Sequence, residues 1–408
     1  SDEARPVLIV AFPKPLAIPV PRGEMGRARF AELGIDDARM SSAQMEFSSR
    51  GGVPHIRDTR SRNGTYVDGV RLDDSPTPLH DGALIRAGDT LLVYRKRLVG
   101  TLNPAPPIGE LEGPFGQREL ARQVRMLDPT QSTNILIEGP TGTGKELLAR
   151  AIADKLRPNK PYGALNVTEV SASVFESQLY GHVRGAFSGA DTVNKGAIVQ
   201  CEGGAMLLDE LGELPSDLQP KLLRFLDSHM VLPVGATQAK KVDILVLAAT
   251  NRTLADDVRS GTFRSDLHAR FVQVLRTTPL SARREDIYYI ARVLKSRHGN
   301  ELTSDMVETQ ALEQLMLLPF DTNIRGLATV VSAVLAEEQG ERFTLRALRK
   351  YVSESLRPPA ATLTRDNVEN ALREHNDNQT QAAKYLNVSR GTLLNYMKKK
   401  GIKPKIDV

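Results

Sequence analysis

The stretch Gly139-Pro-Thr-Gly-Thr-Gly-Lys-Glu146 leaves this chain few folds to adopt. It follows an apolar run, Asn134-Ile-Leu-Ile-Glu138, and opens an amphipathic stretch from about residue 146 to residue 156. Strand, glycine-rich turn and helix in that order make a phosphate cradle. Glycines let backbone N–H groups converge on an anion, and the helix N-terminus adds a favourable dipole. Gly139, Pro140, Thr141, Gly142, Thr143, Gly144, Lys145 and Glu146 are therefore candidate ATP-binding residues, with Lys145 placed to neutralise the β- and γ-phosphates. Glu146 stands where the common P-loop has Ser or Thr, so the usual hydroxyl ligand for Mg2+ is missing.

The neighbourhood fits an α/β fold. Ala205-Met-Leu-Leu208 ends in Asp209-Glu210, and an apolar run over 242–248 ends in Ala249-Thr250-Asn251. Continuous apolar strands alternating with helices predict a parallel sheet covered on both faces, with ligands at the carboxyl ends of its strands. There Asp209 would hold Mg2+, and Glu210 would orient and polarise an attacking water. Asn251 would reach the γ-phosphate or that water. Arg264 and Arg270 lie six residues apart beyond this strand. They read either as solvated helix arginines or as arginine fingers supplied by a neighbouring subunit. From Arg283 to about residue 339 the pattern is helical only, which predicts a small helical lid.

Two proline-rich breaks, Leu102-Asn-Pro-Ala-Pro-Pro107 and Leu356-Arg-Pro-Pro-Ala-Ala361, read as semi-rigid spacers. The expected order is an all-β domain at 1–99, a linker at 100–112, an α/β nucleotide-binding core at 113–282, its helical lid at 283–350, a linker at 351–363 and a small helical domain at 364–408. Before the first break, short strands such as Val7-Leu-Ile-Val-Ala11 and Thr90-Leu-Leu-Val-Tyr94 alternate with Gly, Asp, Asn and Pro, which predicts a small all-β sandwich. Arg27, Ser41 and Arg62 offer the fork and short donors that a phosphate needs, and Asn63 would fix a peptide backbone. After the second break three short helices are expected. Arg390, Thr392, Asn395 and Tyr396 lie near the start or outer face of the last and could reach base edges, with Lys399 among the lysines that would meet phosphates. A single cysteine, Cys201, excludes an internal disulfide and fits a cytoplasmic location. No apolar run reaches the length of a membrane span.

Gly185-Ala-Phe-Ser-Gly-Ala190 sets one large aromatic among small residues. Alone it reads as a buried turn or as a mobile finger. Together with residues 139–146, Glu176-Ser-Gln-Leu-Tyr-Gly-His182, Gly203-Gly-Ala-Met-Leu-Leu-Asp-Glu-Leu211, Ala248-Ala-Thr-Asn251 and residues 263–270, it resembles the bacterial enhancer-binding proteins, the AAA+ activators of sigma-54 RNA polymerase. The resemblance implies an ATPase ring, a hexamer with its sites at subunit interfaces and with ATP and Mg2+ as cofactors. Arg264 and Arg270 would act in trans, Arg325 as a second sensor from the lid, and Asn166 as the restraint on Glu210. Gly185, Ala186, Phe187, Ser188, Gly189 and Ala190 would contact sigma-54. Ser188 stands where the family usually has Thr, Val183 where it has an acid, Pro233 where it has Arg, and Phe320-Asp-Thr-Asn323 where it has Trp-Pro-Gly-Asn.

The ends resemble known modules too. Residues 378–393 resemble a Fis-type helix-turn-helix, which binds enhancer DNA as a dimer. Gly26-Arg27, Ser41 and Asp58-Thr-Arg-Ser-Arg-Asn-Gly-Thr-Tyr-Val-Asp-Gly69 resemble a forkhead-associated (FHA) domain, which binds phosphothreonine in a partner protein. Gln44 replaces its structural His. The expectation is a sigma-54-dependent activator. The rival readings are a DNA-binding AAA+ regulator that acts without sigma-54 and a phosphoprotein-recruited scaffold.

Overall fold

Five parallel strands form the central sheet, in the order Tyr162–Asn166, Ala205–Asp209, Leu245–Thr250, Asn134–Glu138 and Gln273–Arg276. Successive side chains point to opposite faces, so one apolar strand feeds two cores. Ile135 and Ile137 pack with Leu148, Ile152, Leu207 and Leu247 on one face. Leu136 packs with Leu208, Val246, Phe175, Leu222 and Phe225 on the other. The computed structural model describes residues 4–130, 133–168, 172–296, 299 and 301–355, and beyond these only Val368, Glu369, Leu372, Gln379, Ala382, Leu393, Leu394, Tyr396, Met397, Lys400 and Ile402. The chain forms two compact units, residues 1–332 and 333–408.

The expected strands at the P-loop and at Asp209 are present. The one expected over 242–248 starts later, at Leu245. Before it, the carbonyl of Asp243 accepts from Gly203 N and Val242 N donates to His229 O, so these residues serve loops and not the ladder.

Residues 5–98 make a sandwich of a six-stranded and a four-stranded antiparallel sheet. Between the sheets lie Leu8, Val10, Phe30, Met45, Phe47, Ile56, Ile85 and Leu92. The strand Arg5–Phe12 is buried on both faces. Val7 and Ile9 form a second cluster with Ala17, Leu98 and Phe115, against which Leu102 packs. Phe115 belongs to the segment that enters the ATPase, so the sandwich and the ATPase share this cluster. The spacer expected over 102–107 is therefore docked: Leu102 sits against the sandwich, Ala105 packs on the ATPase core, and Ala105 N donates to Pro114 O at 2.7 Å.

The lid supplies the helices Ile287–Ser296 and Thr309–Leu317 and the start of Asn323–Glu337. It also meets the sandwich. Arg95 donates to both carboxylate oxygens of Glu285, at 3.1 and 3.2 Å, and the Phe12 and Tyr288 rings meet edge-on with centroids 4.9 Å apart. In the second unit the helix Leu345–Ser355 is described, and a small core gathers Val368, Leu372, Ala382, Leu393, Met397 and Ile402. No helix among the described residues is long and apolar enough to cross a membrane.

Candidate functional site

Gly142 and Gly144 take positive φ values of 76° and 96°, a conformation that a side chain would strain. The turn they shape delivers Lys145 as the first residue of the helix Lys145–Leu156. Its ammonium is buried and donates to Gly139 O at 2.9 Å. Burial lowers its pKa, while the carboxylates of Glu210 and Asp209 oppose that shift and Arg325 adds to it. These four groups thus share one electrostatic neighbourhood.

Asp209 ends its strand, paired in register with Asn166. Asn166 Oδ1 accepts from both the backbone N–H and the hydroxyl of Thr168, each at 2.9 Å. Glu210 follows in the left-handed region at φ 56°, a strain of about 1–3 kcal/mol for a residue with a side chain. Its Oε2 is buried and has no hydrogen-bond partner in the structure. A strained backbone that holds a carboxylate with one buried, unpartnered oxygen in the neighbourhood of a buried lysine costs stability and suits chemistry. Asn251 comes from the next strand end, with Nδ2 3.5 Å from Thr141 Oγ1.

The lid closes the other side. Asn323 Nδ2 donates to Thr141 O at 2.9 Å and Ile324 N to Gly142 O at 2.9 Å, which brings the following Arg325 against the P-loop. Leu111 packs on Gly144, in one core with Ile108 and Ile324. The residues present suit a nucleotide triphosphate: converging backbone donors, one lysine, one arginine and an apolar wall. They suit Mg2+ only as a shared ion. No group of three or more His, Cys, Asp or Glu among the described residues could cage a metal, so Asp209 would need phosphate oxygens and water as co-ligands.

The glycine-rich loop leaves the same body. Its stem is pinned by Val183 N to Val234 O at 3.1 Å and Val234 N to Gly181 O at 2.9 Å, and it is closed by Gly185 N to Ala190 O at 2.8 Å. Gly185 and Gly189, at φ 77° and 96°, turn it outward, and a side chain added at either would meet nothing within 4 Å. Phe187 is 47% exposed and touches the His182 ring edge-on at 5.0 Å. The buried turn is therefore excluded. Val183 faces Gly235 in the neighbouring loop, so an apolar residue there has a packing role.

In the sandwich the four expected phosphopeptide residues surround one loop. Arg27 donates from Nε to Met40 O at 2.8 Å and from Nη2 to Ala38 O at 3.0 Å. Arg62 N donates to Ser41 Oγ at 3.0 Å, and Asn63 Nδ2 to Arg39 O at 2.6 Å. Beneath them the fully buried Gln44 amide donates to Ser61 Oγ, Gly64 O and Thr65 Oγ1 at 2.9–3.0 Å, and accepts from Ser41 N at 2.9 Å. Gln44 thus joins both loops. Replacing it by Leu removes these bonds, although Ser61 Oγ and Thr65 Oγ1 keep theirs to Asp58 Oδ1, and is expected to destabilise the sandwich by about 1–3 kcal/mol. Thermal unfolding should show an earlier first transition, and an unchanged midpoint would contradict this.

A family model described as Sigma-54 interaction domain matches residues 116–276, and one described as FHA domain matches residues 23–88. Transcriptional regulatory protein ZraR of Klebsiella oxytoca is 34% identical over 309 residues, covering 72% of this chain and 69% of that protein. Regulatory protein LuxO of Vibrio cholerae (El Tor Inaba) is 34% identical over 308 residues, covering 69% and 68%. The chain belongs to the sigma-54-dependent transcriptional activators. Among solved structures, NtrX from Brucella abortus in complex with ADP matches at 26% identity and TM-score 0.55, over 72% of this chain and 69% of that one. The NtrX complex with ATP matches at 26% and 0.53, over 72% and 70%. This activator's middle domain is an ATP-binding AAA+ ATPase.

The activator's two candidate finger arginines are exposed. Arg264 pairs with Asp266 at 2.7 Å, and Arg270 pairs with Asp227. Both lie on the surface of the chain. Of the residues expected to contact DNA, Tyr396 packs against the small C-terminal core, while Arg390, Thr392, Asn395 and Lys399 lie outside the described residues. No site role was legible in the sequence for Ile108, Leu111 and Ile324, and Asn323 stood out only as the end of a departure from the family's motif. Their only signal was apolar residues flanking a proline-rich stretch, and an Asn two positions before Arg325.

Proposed function

We propose that this activator assembles as a hexameric ring and uses ATP hydrolysis at its subunit interfaces to remodel a closed sigma-54 RNA polymerase complex near enhancer-bound DNA. ATP with Mg2+ supplies the phosphoryl group and its charge neutralisation. Lys145 and the P-loop amides hold the β- and γ-phosphates, and Asp209 anchors the metal. Glu210 takes a proton from the attacking water, with Asn251 placing that water and Asn166 restraining Glu210 until the ring engages. Arg325 reports the nucleotide to the lid. Arg264 and Arg270, exposed on one subunit, reach the site of the next and offset charge on the transferring group. The helix-turn-helix anchors dimers at paired DNA sites, and the FHA domain binds a phosphothreonine protein.

One observation carries this reading: the exposed Phe187 stands on a loop whose stem is hydrogen-bonded into the body of the ATPase. Capture of sigma-54 by the assembled protein with ADP and aluminium fluoride tests it. Capture that needs both the analogue and Phe187 is expected; equal capture without nucleotide would contradict the reading. Ser188 is exposed beside Phe187. Ser188→Thr restores one methyl, worth about 0.8 kcal/mol when buried, so capture should strengthen about threefold to fourfold. Weaker capture would show that the loop does not bury this side chain.

A further inference from the structure

The lid helix Thr309–Leu317 is held by Arg86 and Asp89 of the sandwich, and Asp89 in turn touches the loop that carries Arg39. At its first residue, Thr309 Oγ1 donates to Asp89 Oδ1 at 3.2 Å. Asp89 also pairs with Arg39 at 3.5 Å, and the carbonyl of Arg39 accepts the Asn63 amide. Asp37, buried, fixes this arrangement. It accepts from Asp89 N and Thr90 Oγ1, each at 2.8 Å, and from Arg39 N at 3.0 Å.

One turn further along the helix, Glu313 Oε2 accepts from Arg86 Nε at 2.7 Å, with the side chains 6% and 9% exposed. Arg86 in turn lies over the Tyr66 ring, 3.8 Å from its centroid. Tyr66 is three residues past Asn63. A buried ion pair of this kind is poor evidence for stability, since desolvation offsets most of its attraction, but breaking it by removing one partner is costly. It therefore fixes where the helix lies more than how firmly the fold holds. The far end of the same helix leads through residues 318–322 to Asn323 and Ile324, which hydrogen-bond Thr141 O and Gly142 O of the P-loop.

We propose that this helix couples the two sites: phosphopeptide bound at Arg27, Ser41, Arg62 and Asn63 changes nucleotide affinity at the P-loop through Asp89–Thr309 and Arg86–Glu313. The proposal rests on the phosphothreonine reading of the FHA domain. A phosphate near Ser41 and Arg62 draws the exposed Arg39 guanidinium from Asp89. Asp89 then bonds Thr309 differently, and the helix moves against the P-loop. Coupling is reciprocal, so nucleotide alters phosphopeptide affinity by the same factor.

The test uses the full chain, a fluorescent ADP analogue and a degenerate phosphothreonine peptide pool, with the unphosphorylated pool as control. Saturating phosphopeptide is expected to change the analogue's Kd at least about fivefold. Glu313→Gln should abolish that change while leaving phosphopeptide binding intact. Thr309→Val, a milder substitution, should reduce it, and it keeps the test open if Glu313→Gln fails to fold. Phosphopeptide that binds without changing the Kd overturns the coupling alone. An undiminished change in both variants overturns the route through this helix. Failure of the phosphopeptide pool to bind overturns the FHA reading, and the coupling with it.

Discussion

Glu210→Gln is expected to slow ATP hydrolysis about a thousandfold and to leave nucleotide binding nearly unchanged. A positioned general base contributes about 10²–10⁴-fold, and Gln keeps the size of the side chain without its basicity. The structure gives reasons to expect an effect well inside that range. The carboxylate has a buried oxygen without a partner, and its backbone is held at φ 56°. The neighbouring carboxylate, Asp209, has its Oδ1 occupied by Glu210 N at 3.0 Å. Lys145→Ala should behave differently, losing binding as well as turnover, because the ammonium is the buried cation beside both carboxylates. Steady-state hydrolysis paired with fluorescent-nucleotide titration separates the two. Turnover within tenfold of the parent in Glu210→Gln would assign the proton transfer elsewhere.

Phe187→Ala is expected to leave hydrolysis near the parent value and to abolish activation. The ring is half exposed, and its one aromatic contact among the described residues is His182. That edge-on contact is worth about 0.5–1.5 kcal/mol, so the fold should survive its loss. At an interface a single aromatic anchor commonly carries 2 kcal/mol or more, so sigma-54 capture should fall at least about thirtyfold. Coupled loss of hydrolysis and capture would mean that Phe187 supports the ATPase fold and is not a contact residue.

Local chemistry was legible in the sequence, and long-range pairing was not. The strand Asn134–Glu138 and the helix after it follow from apolar pattern and glycine, and Asp209-Glu210 falls at a strand end as an open α/β sheet requires. The docking of the sandwich on the lid rests on charges far apart in the chain: Arg86 and Glu313 are 227 residues apart, and Arg95 and Glu285 are 190 apart. No spacing rule links such residues. One signal was present. Val7-Leu-Ile-Val-Ala11 is apolar without alternation, which a strand with one wet face would not be, and all five residues are fully buried. The strain at Glu210 was also unreadable, because a positive φ at a non-glycine residue is imposed by the surrounding fold.

The central claim is that nucleotide turnover drives Phe187 against sigma-54 to open promoter DNA. Its most direct test is permanganate footprinting of a sigma-54 promoter with sigma-54 RNA polymerase, the full-length activator and ATP. Unpaired thymines are expected around the start site with ATP, and none with ADP, with Glu210→Gln or with Phe187→Ala. Strand opening by the Phe187→Ala protein at the parent level would contradict it.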